Sequence, residues 1–319
     1  MKPFNVFPYD SKIDFMRLRM ISLAVAALIM FVGIGGMVFK GFNFALDFTG
    51  GVGVELAYDR PVDVDGVRER LEAAGFENAQ VQTFGTGKEL LVRLRDDSTA
   101  KKSPEDKASS LAESVRVAAS ESGNPARMMR SSEISAQIGK ELAWDGLMAL
   151  VFVVVFFLIY IAFRFEFKFA VAAIITTLHD VVVVIGWFAL SGHEFDLTVL
   201  AGILSVMGFS INDTIVVFDR VRENFRGMRA EPYEVLNRSI NQTLSRTVIT
   251  SFVAFLTVFA LYLYGGGSLQ GMAESQMIGI VIGTLSSIFV ACPLLMWLGV
   301  SKQDLLPKAK DEAELARRP

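Results

Sequence analysis

Cysteine is almost absent from this chain: Cys292 stands alone, inside an apolar run. That excludes a disulfide framework and a cysteine-built metal cluster. The two histidines, His179 and His193, are too few for a histidine metal centre, so no metal and no cofactor are expected. Charge is scarce as well. Asp, Glu, Lys and Arg make up 20% of the residues and the net charge is −3, a balance that marks no acidic partner and no nucleic acid. A nucleotide loop is missing. Gly85-Thr86-Gly87-Lys88 resembles a phosphate loop only in part, because a Walker A motif needs Gly where Gln82 stands and Ser or Thr where Glu89 stands. The segment reads as a hairpin turn flanked by lysine.

What the chain has in abundance is apolar sequence. Hydrophobic residues are 52% of the total, and mean hydropathy is positive, as in a membrane protein. About 20 apolar residues cross a bilayer as a helix. Six stretches meet that length: 20–39, 142–163, 169–190, 197–218, 247–264 and 275–298. Gly35-Gly36-Met37-Val38-Phe39-Lys40 closes the first, where a cleaved signal would carry a small-residue cleavage site, so it reads as a signal anchor.

Lys and Arg then set the orientation. Lys12, Arg17 and Arg19 precede the first span, and Arg164 and Lys168 follow the second. Arg220, Arg222, Arg226, Arg229, Arg238 and Arg246 lie in 219–246, and Lys302, Lys308 and Lys310 lie in the tail, 299–319. The turns 191–196 and 265–271 have neither residue. The positive-inside rule therefore puts both termini, the segment 1–19 and a loop 219–246 in the cytoplasm, close to membrane lipids. The long segment 40–141 lies outside.

That outer segment reads as a folded domain. Val52, Val54 and Leu56 alternate along a strand, 51–58, and Val67, Leu71 and Ala74 recur at helical spacing. Strands 79–84 and 89–95 form a hairpin around Gly85-Thr86-Gly87. Ser103 with Pro104 and Glu105 opens a helix to about 122, and a last strand covers 126–135. The order β-α-β-β-α-β is the ferredoxin-like pattern. The fold class is thus a polytopic α-helical membrane bundle with a ferredoxin-like α+β domain between its first two spans.

Ionisable groups inside spans are costly and normally face a bundle interior or a water-filled path. Asp213 lies in the fourth span, next to Asn212; His179 and Asp180 lie in the third. A low-dielectric interior favours the protonated carboxyl, whereas a nearby cation favours the carboxylate, so a movable Asp–Arg contact makes a proton switch. Arg246, at the start of the fifth span, is the candidate cation. Blander readings stand beside these. Asp213 is then a packing residue satisfied by Asn212, Ser210 or Thr214, and Asp180 bonds Thr176 or Thr177 one turn back or pairs structurally with another span. His179 is a satisfied polar residue, about 100° from Asp180 around the helix and so not one site with it by spacing, and Arg246 snorkels to headgroups.

Gly208-Phe-Ser-Ile-Asn-Asp-Thr-Ile-Val-Val-Phe-Asp-Arg-Val-Arg-Glu-Asn224 is similar to the fourth-span signature of the SecD/SecF family of protein-export membrane subunits, on its SecF side. Leu46-Asp47-Phe48-Thr49-Gly50-Gly51 resembles the family's Asp-Phe-x-Gly-Gly motif, and Leu178-His179-Asp180 and Asn237–Thr243 match as well. The resemblance implies a bacterial inner-membrane accessory subunit that is not an enzyme. Its partners would be the paralogue SecD, the SecYEG translocon, YajC and the exported preprotein. Such pairs are similar to resistance–nodulation–division transporters and use the proton-motive force to draw preproteins outward. Asp213 then holds the proton-pathway position with Arg246 near it. Asp47, Gly50 and Gly51 sit at the tether of the outer domain as a hinge. Other classes are a proton-coupled exporter of small molecules or lipids, an intramembrane aspartyl protease using Asp180 with Asp213, and a passive scaffold.

Overall fold

The computed structural model describes residues 11–76, 79–84, 88–94, 104–121, 123–134 and 136–302. The expected turn at Gly85–Gly87, the Ser103 cap and the tail beyond 302 lie outside the described residues, as does the far end of the strand expected to reach 135; the helix expected to reach about 122 ends at Ala119.

Six helices are long and apolar enough to cross a membrane. A 3-10 turn, Met16–Leu18, leads into α1, Arg19–Phe39. After the intervening domain come α5, Ala136–Arg164, α6, Phe167–Ser191, and α7, Leu197–Gly227. The bundle ends with α8, Pro232–Tyr264, α9, Gly267–Phe289, and the short α10, Ala291–Trp297. Local chemistry sets the ends. Asp196 caps α7 by accepting from the Val199 amide at 2.8 Å, and Pro232 occupies the first turn of α8, where its missing N–H costs nothing.

One boundary is corrected. The segment 219–246, expected as a loop, is mostly helix, because α7 and α8 run on past the apolar stretches and turn only between Met228 and Glu231. The reason is helical burial continued with polar partners. Val221, Phe225, Val235 and Leu236 face inward, and Asn224 Nδ2 bonds Ser239 Oγ at 2.8 Å and Gln242 Oε1 at 2.9 Å. Hydropathy sees only the apolar part of such a helix.

Between α1 and α5 lies the domain. It runs β1, Asn43–Phe44, α2, Leu46–Thr49, β2, Gly51–Ala57, α3, Val64–Ala73, β3, Gln80–Phe84, β4, Glu89–Leu94, α4, Pro104–Ala119, and β5, Arg127–Ile134. The four longer strands form one antiparallel sheet in the order β3-β4-β2-β5. Val54, Leu56, Leu90 and Val92 on the sheet pack with Val67 and Leu71 of α3 and Val115 of α4. Tyr58 is buried at that core and donates to the Ala119 carbonyl at 3.1 Å, and burial pushes its phenol up to about 12. β1 pairs in parallel with β6, Glu194–Phe195, just ahead of α7.

In the bundle α6, α7 and α9 are the central helices; α1, α5 and α8 expose most of their apolar surface. Close packing of α1 on α6 depends on paired glycines. A Cβ at Gly186 would lie 2.5 Å from Gly33 Cα. Gly186→Leu is expected to lower the melting temperature of the purified protein in detergent, with a cost of about 1–3 kcal/mol from overpacking; an unchanged melt would mean α1 is not seated there.

Candidate functional site

Asp180 lies on the buried face of α6 and is 0% exposed. Its Oδ2 accepts from Ser210 Oγ of α7 at 2.5 Å and from Ser286 Oγ of α9 at 2.7 Å. Three spans therefore converge on one carboxylate. His179 Nδ1 stands 2.9 Å from Oδ1, so the separation expected from their helical spacing is corrected: the neighbours meet because the imidazole is long enough to swing back around the helix. Of the two structural bonds expected for Asp180, the pairing with another span is the one made; the bond one turn back is not, since Thr176 donates to the Ala172 carbonyl at 2.8 Å and Thr177 Oγ1 has no partner among the described residues.

Asp213 lies one turn beyond Ser210 on α7 and is 3% exposed. Its Oδ2 accepts from Ser251 Oγ of α8 at 3.4 Å, and Thr284 of α9 donates to Ser251 at 2.7 Å. Of the partners expected for Asp213, Ser210 is committed to Asp180 and Thr214 Oγ1 is buried without a hydrogen bond among the described residues. Asn212 is exposed, about 100° around the helix from Asp213. Arg246 is exposed too; its charge acts on Asp213, yet no ion pair within 4 Å joins them. No hydrogen bond links Asp180 to Asp213 either, so the two are separate sites, each with its own hydroxyls.

Together these groups make a polar seam through the central helices. It has two parts, His179 and Asp180 with Ser210 and Ser286, and Asp213 with Ser251 and Thr284; they share α7 and α9, but no hydrogen bond among the described residues joins them. Hydroxyls and carboxyls at hydrogen-bond spacing can pass a proton or hold a buried charge; either use requires every member to be paired. Ser251, Thr284 and Ser286 were not visible as site residues in the sequence. Serines and threonines are common in membrane helices, and only the crossing of four helices makes these three special.

The Asn237–Thr243 motif grips the chain's own start. Asn241 Oδ1 accepts from Ser11 Oγ at 2.7 Å and the Ile13 amide at 3.1 Å, and Asn237 Oδ1 accepts from the Met16 amide at 3.2 Å. At the other end of the bundle, Asp47 Oδ2 accepts from the Leu197 amide at 3.3 Å, placing a negative charge on the α7 N-terminus, where it is favourable. Gly50 and Gly51 have φ of +74° and +140°, a bend that other residues rarely adopt. The bend is packed: a Cβ on Gly139 of α5 would lie 3.0 Å from the Phe48 carbonyl oxygen.

Membrane-length helices around buried, hydroxyl-bonded carboxyls define a multi-pass membrane protein with an ionisable interior. The family model "Protein export membrane protein SecD/SecF, C-terminal" matches residues 115–301, and "SecD/SecF GG Motif" matches residues 35–62. The chain is 41% identical to protein translocase subunit SecF of Pseudomonas aeruginosa, across 95% of this chain and 97% of the relative. It is 39% identical to SecF of Escherichia coli O157:H7, across 96% and 94%. The crystal structure of SecDF, a translocon-associated membrane protein from Thermus thermophilus, superposes with a TM-score of 0.80 at 38% identity, across 92% of this chain and 39% of that one. The chain thus spans nearly all of the SecF relatives and about two fifths of the SecDF structure. It belongs to the SecD/SecF family of protein export membrane proteins.

Proposed function

We propose that this chain is the SecF-type accessory subunit of the Sec protein translocase and that, with a SecD-type partner, it uses the proton-motive force to promote export of preproteins across the inner membrane. Near-full-length identity to SecF subunits supports the role, and the joining of both halves in one SecDF chain supports SecD as the partner. The observation that carries the energetic part is Asp213, a carboxyl buried on the central helix of the bundle. A charge crossing 100 mV yields about 2.3 kcal/mol, enough to bias a rocking motion.

In this reading Asp213 takes and releases the proton, while Arg246, unpaired with it in the present arrangement, approaches when Asp213 is ionised. Asp180 and His179 form a second station one helical turn away along α7, and Asn212 faces the partner half. Thr214 and Thr247, buried hydroxyls without protein partners among the described residues, suit a hydrated route. The charge pattern supports cytoplasmic termini and an outer domain, and its strand order with two helices supports a ferredoxin-like fold. Asp47, Gly50 and Gly51 are its tether. SecYEG, YajC and the preprotein complete the assembly, the chain itself carrying out no catalysis.

The test is export of a secreted reporter in cells whose only copy is this chain or a variant, with and without a protonophore. The intact chain is expected to add a component that the protonophore removes; a protonophore-resistant contribution overturns the reading. Arg246→Ala is expected to lose most of that component at unchanged membrane abundance. Normal export would leave Asp213 with another partner.

A further inference from the structure

The tethers of the outer domain run to α1 and α5, and neither helix carries Asp180 or Asp213. Asp47 of the first tether touches the α7 N-terminus, and a second contact leading to that helix comes from the sheet itself. Arg93, on β4 within the sheet, forms an ion pair with Glu194 of β6; their side chains are 18% and 9% exposed. Two further carboxylates, Asp47 and Asp196, act on the same guanidinium. Burial lowers the Arg93 pKa below its ordinary value, and these carboxylates oppose that shift, so the group stays charged.

The base of this contact is stiff. Asn43 and Phe44 pair with Glu194 and Phe195, and Gln80 Nε2 of the sheet donates to Asn43 Oδ1 at 3.0 Å. The Phe195 ring lies 5.4–6.1 Å from those of Phe42, Phe44, Phe48 and Phe188. Glu194 and Asp196 lead directly into α7, a continuous helix of 31 residues, and Asp213 lies about 24 Å along it at 1.5 Å per residue. A helix is rigid over that distance, so a shift at Asp213 is delivered to Glu194.

We propose that Arg93 and Glu194 are positioning residues that couple α7 to the outer domain, so that the sheet follows the proton-bearing helix rather than α1 and α5. The inference rests on the proton-driven reading above. The ion pair acts as a strut that stays closed through the cycle, and a covalent bridge in its place therefore preserves function.

Arg93→Gln and Glu194→Gln are expected to lose most protonophore-sensitive export, with membrane abundance and SecD co-purification unchanged, and Arg93→Lys to retain it. The Arg93→Cys/Glu194→Cys double variant is expected to lose export as well. Bridging it with a bifunctional methanethiosulfonate should restore export, and a reductant should remove it again; Cys292 is buried in the bundle and does not compete. A purely structural pair would lower abundance and would not respond to a reversible bridge. Wild-type export in Arg93→Gln, or equal export from bridged and reduced protein, overturns the coupling. Asp213→Asn is run in parallel: if it loses export while Arg93→Gln does not, only the strut fails. If Asp213→Asn exports normally, the proton-driven reading fails and the strut with it.

Discussion

Asp213→Asn is expected to reduce export to the level of cells lacking the chain, while the protein still inserts, accumulates and co-purifies with its SecD-type partner. The substitution suits the question because it changes so little else. Asparagine has the shape of aspartic acid and keeps a carbonyl oxygen for the Ser251 hydroxyl, now 3.4 Å from Oδ2. That bond is long for O–H···O, and its loss would cost less than the usual 0.5–1.5 kcal/mol of a hydrogen bond. What asparagine cannot do is bind and release a proton. Pulse-labelling of a secreted reporter, with immunoblots of the membrane fraction, separates the two effects. Wild-type export would remove proton transfer at Asp213 from the mechanism. Lost abundance would instead assign the carboxyl a packing role on α7.

Much of this architecture is legible in the sequence, for identifiable reasons. A membrane span is a single-segment property, so apolar length alone finds α1, α5, α6, α7, α8 and α9. The strands of the domain follow from local alternation; Leu90, Val92 and Leu94 turn inward along β4 as the pleat requires. Asp180 and Asp213 stand out because a carboxyl in an apolar run is expensive, and both are buried as that cost demands. What stayed hidden depends on two or more segments at once. The serines on Asp180 come from residues 30 and 106 positions away. Asp47 caps a helix 150 residues downstream, and Arg93 pairs with Glu194 across the domain boundary. No spacing rule reaches such distances. The helical hairpin of α7 and α8 was missed for another reason: its polar surface silences hydropathy, while its buried Asn224 and Ser239 carry the packing.

Asp180→Ala should unfold the bundle's centre, and Asp180→Asn should not. Alanine leaves the Ser210 and Ser286 hydroxyls and His179 Nδ1 without their shared acceptor, all inside protein. Each buried polar group left unpaired costs about 1–3 kcal/mol, and the removed carboxyl leaves a void besides. The serines can fall back on backbone carbonyls of their own helices, as Ser286 already does toward Gly283 at 3.1 Å, which caps the loss below the full sum. A clear fall in melting temperature in detergent, with reduced abundance in cells, is therefore expected. Asparagine preserves the arrangement by a change of tautomer. Its carbonyl oxygen takes both serine hydroxyls, its amide faces His179, and the imidazole moves its proton to Nε2 so that Nδ1 accepts. The fold is kept and only the ionisable group is gone. Export by Asp180→Asn then assigns the residue: loss at normal abundance makes it part of the proton route, and wild-type export makes it the knot that holds α6, α7 and α9 together. Loss is the expected result. Ser210 places the Asp180 cluster one helical turn from Asp213 along α7, and a buried, uncharged Asn at that knot would pack as well as Asp if packing were its only duty.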